Sequence, residues 1–343
     1  MRILLVGSFE YAMYAPAFEA GFKSLGHEVF SIDYDKYKLK NSFIFRFLNR
    51  IQDRYHIGIF LAKYNHDILQ AATAFKPNFI FLYRCYSVKQ TTIIRLKNEG
   101  FFIFTYNNDD PFSYKPSRYF FRHYFQTTKN ADVNLVYRQK NVEDFKRLGI
   151  ENIRIILPYF ITKNNYRIPV KRDIPVAFLG HYENDGRDRL ILALKHAGVP
   201  VTIFGGGQYW KQSPLYDSLR DIMQPGMPGP SYNETINRLQ IALVFFSKLN
   251  HDTYTRRCFE IPATKTLMLS EYSVDMDDMF PEDECACYFR NEDELVRKCR
   301  YLLSNPEEIK RIAENGYNRL LKIGGSEIDR CKQIINIYDG LRN

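Results

Sequence analysis

Apolar runs alternate with amphipathic stretches along the chain, starting at the first residues. Residues 2–6 form an apolar run typical of a buried strand, residues 15–25 have the spacing of a helix, and residues 28–32 predict the next strand. This β-α-β order indicates a parallel sheet with a right-handed crossover. Later strands are predicted at 77–83, 101–106, 132–136 and 152–156, with helices at 89–98 and 141–148.

The same alternation restarts after residues 158–172, a stretch of prolines, asparagines and basic residues that is typical of a linker. A strand at 174–179, a helix at 187–197 and a strand at 201–204 open a second unit. Further elements are predicted at 232–239, 242–246, 292–303 and 306–322. Two such units predict two doubly wound α/β domains that face each other across a cleft. We expect them at residues 1–165 and 170–325, with a final helix at 326–343 that packs back on the first.

The composition is that of a globular protein. Of 343 residues, 45% are hydrophobic and 25% are charged, which excludes disordered and fibrous classes. The net charge of +9 favours an anionic partner, and nucleic acid, an anionic membrane and a phosphorylated substrate all satisfy it. No sequence signature of RNA or DNA binding is present, so we do not expect nucleic acid as a partner.

The six cysteines are scattered and contain no C-x-x-C pair, which favours reduced thiols. The chain lacks the pattern of a signal peptide and any apolar run of about 18 residues. We therefore expect a cytoplasmic protein.

Residues 252–271 carry the most specific chemistry. A polar loop with Asp252, Thr255, Arg256 and Arg257 precedes a short helix that holds Glu260. Cationic donors beside a helix start suit a diphosphate. A carboxylate one turn further along can accept hydrogen bonds from two neighbouring sugar hydroxyls. The segment therefore predicts a nucleotide-sugar site, the alternative being an ordinary solvated helix face.

Glycines follow several predicted strands, where they let a backbone approach a ligand closely or leave amides exposed to an anion. The candidates are Gly7, Gly180 with His181, Gly205 and Gly206. Tight turns are the alternative explanation. Neither a G-x-G-x-x-G fingerprint after the first strand nor a G-x-x-x-x-G-K-S/T loop is present, which disfavours a nicotinamide enzyme and an ATPase. The carboxyl ends of the strands are expected to meet at one place.

Acidic residues at two strand ends are candidate catalytic bases. Asp109 and Asp110 follow an apolar strand and precede Pro111, so they could orient an acceptor hydroxyl or remove its proton. An Asx-type turn is the alternative. Glu10, beyond the first strand, is a further candidate.

Two short D-x-D patterns occur, at 33–35 and 275–277. Neither follows a strand of the kind that would aim both carboxylates at a nucleotide. We therefore expect no metal site.

The segment 36–63 mixes basic and aromatic residues. Two separate helical stripes are formed by Phe43, Phe47 and Ile51, and by Arg46, Arg50 and Arg54. Such a helix could lie on an anionic bilayer at the inner face of the membrane. A core-packed helix with a solvated basic face is the alternative.

The chain resembles the CgeB-like (spore maturation protein B type) branch of the group 1 glycosyltransferases. The likeness is strongest from Arg257-Cys258-Phe259-Glu260-Ile261-Pro262-Ala263 to Leu269-Ser270-Glu271. It implies a GT-B fold, which is two Rossmann-like doubly wound domains, with the donor held by the second and the acceptor by the first. It also implies that no metal or other cofactor is essential.

By this resemblance Glu260 contacts the ribose, and Arg257 with the Gly180 amides contacts the diphosphate. The first acidic residue of the family's E-x7-E pair is replaced here by Asp252. The usual glycine after the Phe-Glu helix is replaced by Thr264-Lys265, and Lys265 is expected to add charge to the diphosphate site.

The predicted function is transfer of a hexose-type sugar from a nucleotide-diphosphate sugar to a glycan, a lipid-linked or another acceptor, as in polysaccharide biosynthesis. Two alternatives stay open. One is a GT-B sugar-nucleotide epimerase, and the other is a non-catalytic protein that binds sugar nucleotides or a membrane.

Overall fold

The computed structural model describes residues 1–38, 43–113 and 120–342, except for the side chains of residues 43–46 and 53. The side chains of Phe43 and Arg46 therefore lie outside the described set. The chain forms two compact units. The first comprises Met1–Leu157 and Glu327–Asn343, and the second comprises Pro158–Ser326.

The first unit is a parallel α/β sheet flanked by helices. Its elements in chain order are β1 (Arg2–Gly7), α1 (Ala15–Ser24), β2 (Glu28–Asp33), α2 (Phe43–Tyr55), α3 (Ile59–Phe75), β3 (Phe79–Tyr83), α4 (Gln90–Asn98), β4 (Phe102–Asn107), α5 (Arg122–Thr128), β5 (Val133–Val136), α6 (Gln139–Arg147) and β6 (Ile153–Ile155). The described strands pair in the order β2-β1-β3-β4-β5-β6. The order reverses between β1 and β3, and ligands bind at such a switch point in open α/β sheets.

The second unit repeats the architecture with a different strand order. Its elements are β7 (Ile174–Leu179), α7 (Arg187–His196), β8 (Val201–Phe204), α8 (Tyr216–Leu219), β9 (Met223–Gln224), α9 (Pro230–Arg238), β10 (Leu239–Val244), α10 (Arg257–Ala263), β11 (Leu267–Glu271), α11 (Val274–Met279), β12 (Cys287–Phe289), α12 (Glu292–Leu303) and α13 (Pro306–Lys322). The order β12-β11-β10-β7-β8-β9 reverses between β7 and β10. The last helix, α14 (Glu327–Arg342), belongs to the first unit.

Burial explains why the sequence forms strands here. Every residue of β3 is buried, as are the last four residues of β7, because helices cover both faces of a parallel sheet. The Arg330 guanidinium of α14 donates from Nε to the Leu157 carbonyl at 3.0 Å, and Cys331 lies against the Phe18 carbonyl at 3.6 Å. These contacts hold α14 against α1 and against the residues that follow β6.

The structure differs from the predicted elements in several places. The helical segment expected at 36–63 is divided between α2 and α3, and His56 and Gly58 at the break have positive φ angles of 50° and 136°. The expected linker is fastened to α9, since the Tyr166 and Ile168 amides donate to Asn233 and Asn237 at 3.1 and 3.0 Å. The short strands β9 and β12 were not predicted, because two or three residues are too few to show a period.

Candidate functional site

Arg257 lies at the switch point of the second unit. It is the first residue of α10, which follows β10, and its Nη2 lies 3.0 Å from the position that a Cβ on Gly180 would occupy. Gly180 follows β7 directly, and the same hypothetical Cβ would lie 2.7 Å from the Phe178 ring. The absence of a side chain at Gly180 therefore leaves room for the guanidinium.

The Arg257 guanidinium is only partly satisfied by the protein. Its carbon lies 5.9 Å from the centroid of the Phe178 ring, and its Nε is buried without a hydrogen-bond partner among the described residues. A buried donor without a partner costs about 1–3 kcal/mol. An oxyanion that accepted from Arg257 would remove that cost, because guanidinium bonds to phosphate oxygens are charge-assisted.

Glu260 lies one turn further along α10 and is 4% exposed. Its Oε1 is 2.8 Å from Nε of Arg256, and its Oε2 accepts from the Tyr232 hydroxyl at 2.8 Å. Burial and the Glu260 carboxylate raise the pKa of Tyr232, which therefore stays protonated and donates. Arg256 forms this ion pair with Glu260. The sequence pattern placed Arg256 and Arg257 on one segment but did not show that the two side chains have different partners. A carboxylate oxygen has lone pairs for a second hydrogen bond beside each of these contacts.

The glycines after β7 and β8 contribute space rather than free donors. The Gly180 amide donates to the Phe204 carbonyl at 2.8 Å, and the Gly205 and Gly206 amides donate to the Gln224 carbonyl at 3.2 and 3.0 Å. Gly205 has a φ of +104°, and a Cβ there would lie 2.9 Å from the Gly180 carbonyl oxygen. These three amides extend the sheet, so the anion-binding amides expected at these glycines are used within the unit.

A carboxylate ties together the loops that follow β7 and β10. Glu183 accepts from the Ser247 hydroxyl at 2.7 Å and lies 3.6 Å from Nε2 of His181. Burial alone would raise the pKa of Glu183, but hydrogen bonds from His181 and Ser247, together with the nearby Arg187, lower it to about 2. Arg187 in turn donates to the His181 carbonyl at 2.9 Å. His181 thus belongs to the network that shapes the loop beside Gly180.

The other predicted residues of this unit lie on the same loop as Arg257. The Asp252 amide donates to the Ser247 carbonyl at 2.9 Å, and the Thr255 amide is 3.5 Å from the Cys258 sulfur. Glu271, at the end of β11, accepts from the Phe246 amide at 2.5 Å, and burial raises its pKa. These contacts fix the loop between β10 and α10.

Lys265 does not have the orientation expected from the sequence. It follows α10 with a φ of +56°, and its Nζ forms an ion pair with Glu314 at 2.7 Å and lies 4.6 Å from the Tyr317 ring centroid. The left-handed turn directs the side chain toward α13. The Lys265 charge is paired with Glu314 there, so the side chain is not directed at the diphosphate site expected beside Arg257.

In the first unit the two adjacent carboxylates differ sharply. Asp110 is 1% exposed and accepts from the Phe112 amide at 2.9 Å and from Asn141 at 2.8 Å, which is an Asx turn. The Asp109 side chain is 36% exposed and accepts from Arg84 at 2.5 Å and from the Tyr86 hydroxyl at 2.9 Å. Of the two, Asp109 is the carboxylate that a substrate can reach.

Gly7 and Glu10 line a cavity of about 270 Å³ at the carboxyl ends of β1 and β3. A Cβ on Gly7 would lie 3.1 Å from the Tyr83 Cβ, so the glycine permits close packing of the two strands. Arg84, Tyr86 and His56 also line the cavity, and the sequence did not identify them. The position of Arg84 directly after an apolar strand was the available signal.

The acidic D-x-D patterns have local structural partners. Asp33 accepts from the Asp35 amide at 2.9 Å, Asp275 accepts from the Thr253 hydroxyl, and Asp277 accepts from the Glu282 amide at 2.8 Å. Among the residues that the structure describes, no group of three or more His, Cys, Asp or Glu side chains is arranged to hold a metal ion.

Residues 187–324 match the family model described as glycosyl transferase-like. The matched segment contains Arg257 and Glu260. The match covers most of the second unit. No curated protein matches the chain in sequence.

Solved structures of other proteins share the fold over nearly the whole chain. Anabaena Alr3699/HepE in complex with UDP and glucose superposes with a TM-score of 0.69 at 12% identity, covering 99% of this chain and 100% of that one. Sucrose-phosphate synthase from Thermosynechococcus elongatus gives 0.67 at 12% identity and 99% coverage of both chains. A putative UDP-N-acetylglucosamine 2-epimerase from Listeria monocytogenes gives 0.56 at 10% identity, covering 97% of this chain and 94% of that one.

The fold and the family match together confirm the predicted GT-B architecture and the predicted enzyme class, a glycosyltransferase. The CgeB-like branch and the roles of single residues stay predictions. None of the described helices is long and apolar enough to cross a bilayer.

Proposed function

We propose that the chain transfers a hexose-type sugar from a nucleotide-diphosphate sugar to a hydroxyl-bearing acceptor, without a metal ion. The observation that carries the proposal is the buried Arg257 Nε, which has no partner among the described residues and lies beside Gly180 at the switch point of the second unit. A diphosphate supplies the acceptor atoms that this guanidinium lacks.

Transfer forms a bond between the acceptor oxygen and the anomeric carbon, and it breaks the bond from that carbon to the diphosphate. The electron pair of the broken bond leaves with the diphosphate, whose growing negative charge Arg257 stabilises. If the configuration is inverted, the proton of the acceptor hydroxyl passes to a base, for which Asp109 is the candidate with an accessible carboxylate.

Uridine diphosphate is the first nucleotide to test, since HepE is described in complexes with UDP and with UDP-glucose. Glu260 would accept hydrogen bonds from the ribose hydroxyls, while Arg256 and Tyr232 hold its carboxylate in place.

A glycan or lipid-linked acceptor at an anionic membrane fits the surface of α2 and the start of α3. Phe47 is 59% exposed and Ile59 is 76% exposed, and Arg50 and Arg54 lie on the same exposed stretch. Apolar side chains beside cations suit an anionic bilayer. We expect binding to phosphatidylserine vesicles that weakens with salt and in the double variant Arg50→Ala/Arg54→Ala; binding that both changes leave unaltered would refute this part.

The donor is tested by thermal unfolding of the full chain with UDP, GDP, dTDP and CMP. A nucleotide at a hundred times its Kd stabilises the fold by about 2.7 kcal/mol. UDP is expected to stabilise the wild type and, at the same concentration, to stabilise Arg257→Ala much less. If none of the four nucleotides stabilises the chain, the proposal fails.

Product analysis separates transfer from the rival activities. With UDP-sugar and an acceptor extract, we expect release of UDP and a glycosylated product. An epimerised nucleotide sugar formed from donor alone would establish the epimerase instead. Binding of UDP-sugar without any turnover would indicate a non-catalytic protein.

A further inference from the structure

The cavity in the first unit lies at that unit's switch point, between the ends of β1 and β3. Its volume of about 270 Å³ is slightly below the usual range for small-molecule sites, so it suits a group of about one sugar ring. Its described lining includes the rings of Tyr11, Tyr14, Tyr34, Tyr64, Tyr86 and Phe120. Aromatic faces carry partial negative charge, which attracts the polarised C–H groups of a sugar and repels anions.

Among the described residues that line this cavity, both the lysine and the arginine form ion pairs with carboxylates. The lining cation Lys38 forms an ion pair with Asp35 at 2.9 Å, and the lining cation Arg84 forms one with Asp109 at 2.5 Å. The Glu10 carboxylate forms no ion pair among the described residues. It lies close enough to Tyr11 to raise the pKa of that hydroxyl, which places its charge on the lining.

Backbone strain supports a binding role for the same cavity. Arg84 and His56 both line it, and both have a left-handed φ, of 51° and 50°. Residues other than glycine rarely adopt this conformation, which costs about 1–2 kcal/mol and is concentrated at functional sites. Arg84 comes directly after β3, and its guanidinium carbon lies 4.9 Å from the ring centroid of Tyr14 and 5.5 Å from that of Tyr86.

We propose that this cavity binds the acceptor as an uncharged, polyhydroxylated sugar, and that Glu10 disfavours acceptors that carry carboxylate or phosphate. The inference rests on the proposed transferase function and specifies its acceptor. Hydroxyls of such a sugar can bond to Glu10 and Ser87, and the aromatic rings cover its faces.

The test is saturation-transfer NMR on the full chain with UDP present, using neutral glucosides and their glucuronic acid and glucose 6-phosphate counterparts. We expect the neutral sugars to bind and the anionic ones to bind at least about fivefold more weakly, the size of one screened charge contact. Glu10→Gln should raise glucuronate affinity about fivefold with little change for neutral sugars. Glu143→Gln, a carboxylate 62% exposed on α6, is the matched control and should change neither.

The inference is overturned if anionic sugars bind as tightly as neutral ones, or if Glu10→Gln and Glu143→Gln have the same affinities. It is also overturned if no neutral sugar binds at a concentration of about tens of millimolar, where even weak binding is detected. Binding of UDP is recorded in the same samples. If UDP binds and the sugar results fail, the acceptor inference falls alone. If UDP does not bind, the proposed transferase function falls with it.

Discussion

The switch points of the two units have the same architecture and opposite electrostatics. In the second unit, the Arg257 guanidinium keeps a buried nitrogen without a described partner. In the first unit, Lys38 and Arg84 each form an ion pair with a carboxylate, and several tyrosines contribute to the described lining. One arrangement of parallel strands therefore carries a guanidinium nitrogen without a described partner in one unit, and ion-paired cations beside the Glu10 carboxylate in the other. We therefore expect the pairing of the charges, not the fold, to determine the class of ligand that each unit binds.

The largest effect on stability is expected at the loops that follow β1 and β7. Each loop is fixed by hydrogen bonds to one carboxylate, Asp35 in the first unit and Glu183 in the second. Asp35 accepts from the Ser8 hydroxyl and the Phe9 amide, and despite burial these bonds lower its pKa. Glu183 holds the loop after β7, with a pKa of about 2 against an ordinary 4.5. A lowered folded-state pKa stabilises the fold above the unfolded pKa, and that stability is lost as the pH falls through the folded value.

We therefore expect Glu183→Gln to lower the free energy of unfolding by about 3 kcal/mol at pH 7. The difference from the wild type should shrink between pH 4.5 and about 2. Urea unfolding at several pH values measures it. Asp217→Asn, a carboxylate 89% exposed, is the control and should show little difference at any pH. A Glu183→Gln difference that stays constant with pH would contradict the assignment.

The space beside Arg257 gives a second, smaller test. In Gly180→Ala the new methyl would lie 2.7 Å from the Phe178 ring and 3.0 Å from Nη2 of Arg257, so the guanidinium must move. We expect the affinity for UDP to fall about tenfold. Calorimetric titration measures it, with Gly207→Ala as the control because no atom lies within 4 Å of its added Cβ. Equal affinities in the two variants would show that Gly180 does not position Arg257.

The smallest effect on stability is expected from substitutions of Lys265, which also test whether this side chain contributes to UDP binding. Lys265→Gly relieves a left-handed residue at the expense of a partly exposed ion pair with Glu314, so we expect a net stabilisation of about 0.5 kcal/mol. Lys265→Ala loses the ion pair without relieving the backbone and should be less stable than the wild type. Thermal unfolding compares the three proteins. A fall in UDP affinity in Lys265→Gly would restore the diphosphate role expected from the sequence.

The bounds of elements with a clear hydrophobic pattern and marked ends could be predicted from the sequence. The helices at 292–303 and 306–322 and the strands at 174–179 and 201–204 have the predicted bounds, because each combines a clear period with glycine, proline or asparagine at its ends. The break between α2 and α3 was not predicted, because a single glycine such as Gly58 is tolerated within a helical pattern and does not by itself end a helix.

The candidate site was predicted in part. Arg257 and Glu260 could be chosen from their spacing on one short helix, and the structure places Arg257 against Gly180 across the switch point. Tyr232 and Arg84 could not be found this way, because their contacts with Glu260 and Asp109 join residues 28 and 25 positions apart. Such pairs depend on strand order, which the pattern of a single chain does not contain.

The central claim is that the anion site lies in the second unit and depends on Arg257. Calorimetric titration of UDP into the wild type, Arg257→Ala and Arg84→Ala tests it directly, once cooperative unfolding shows that both variants are folded. Loss of two charge-assisted bonds should weaken UDP binding about 100-fold or more in Arg257→Ala. Arg84→Ala should bind UDP as the wild type does. Unchanged binding in Arg257→Ala, or a loss confined to Arg84→Ala, would contradict the account.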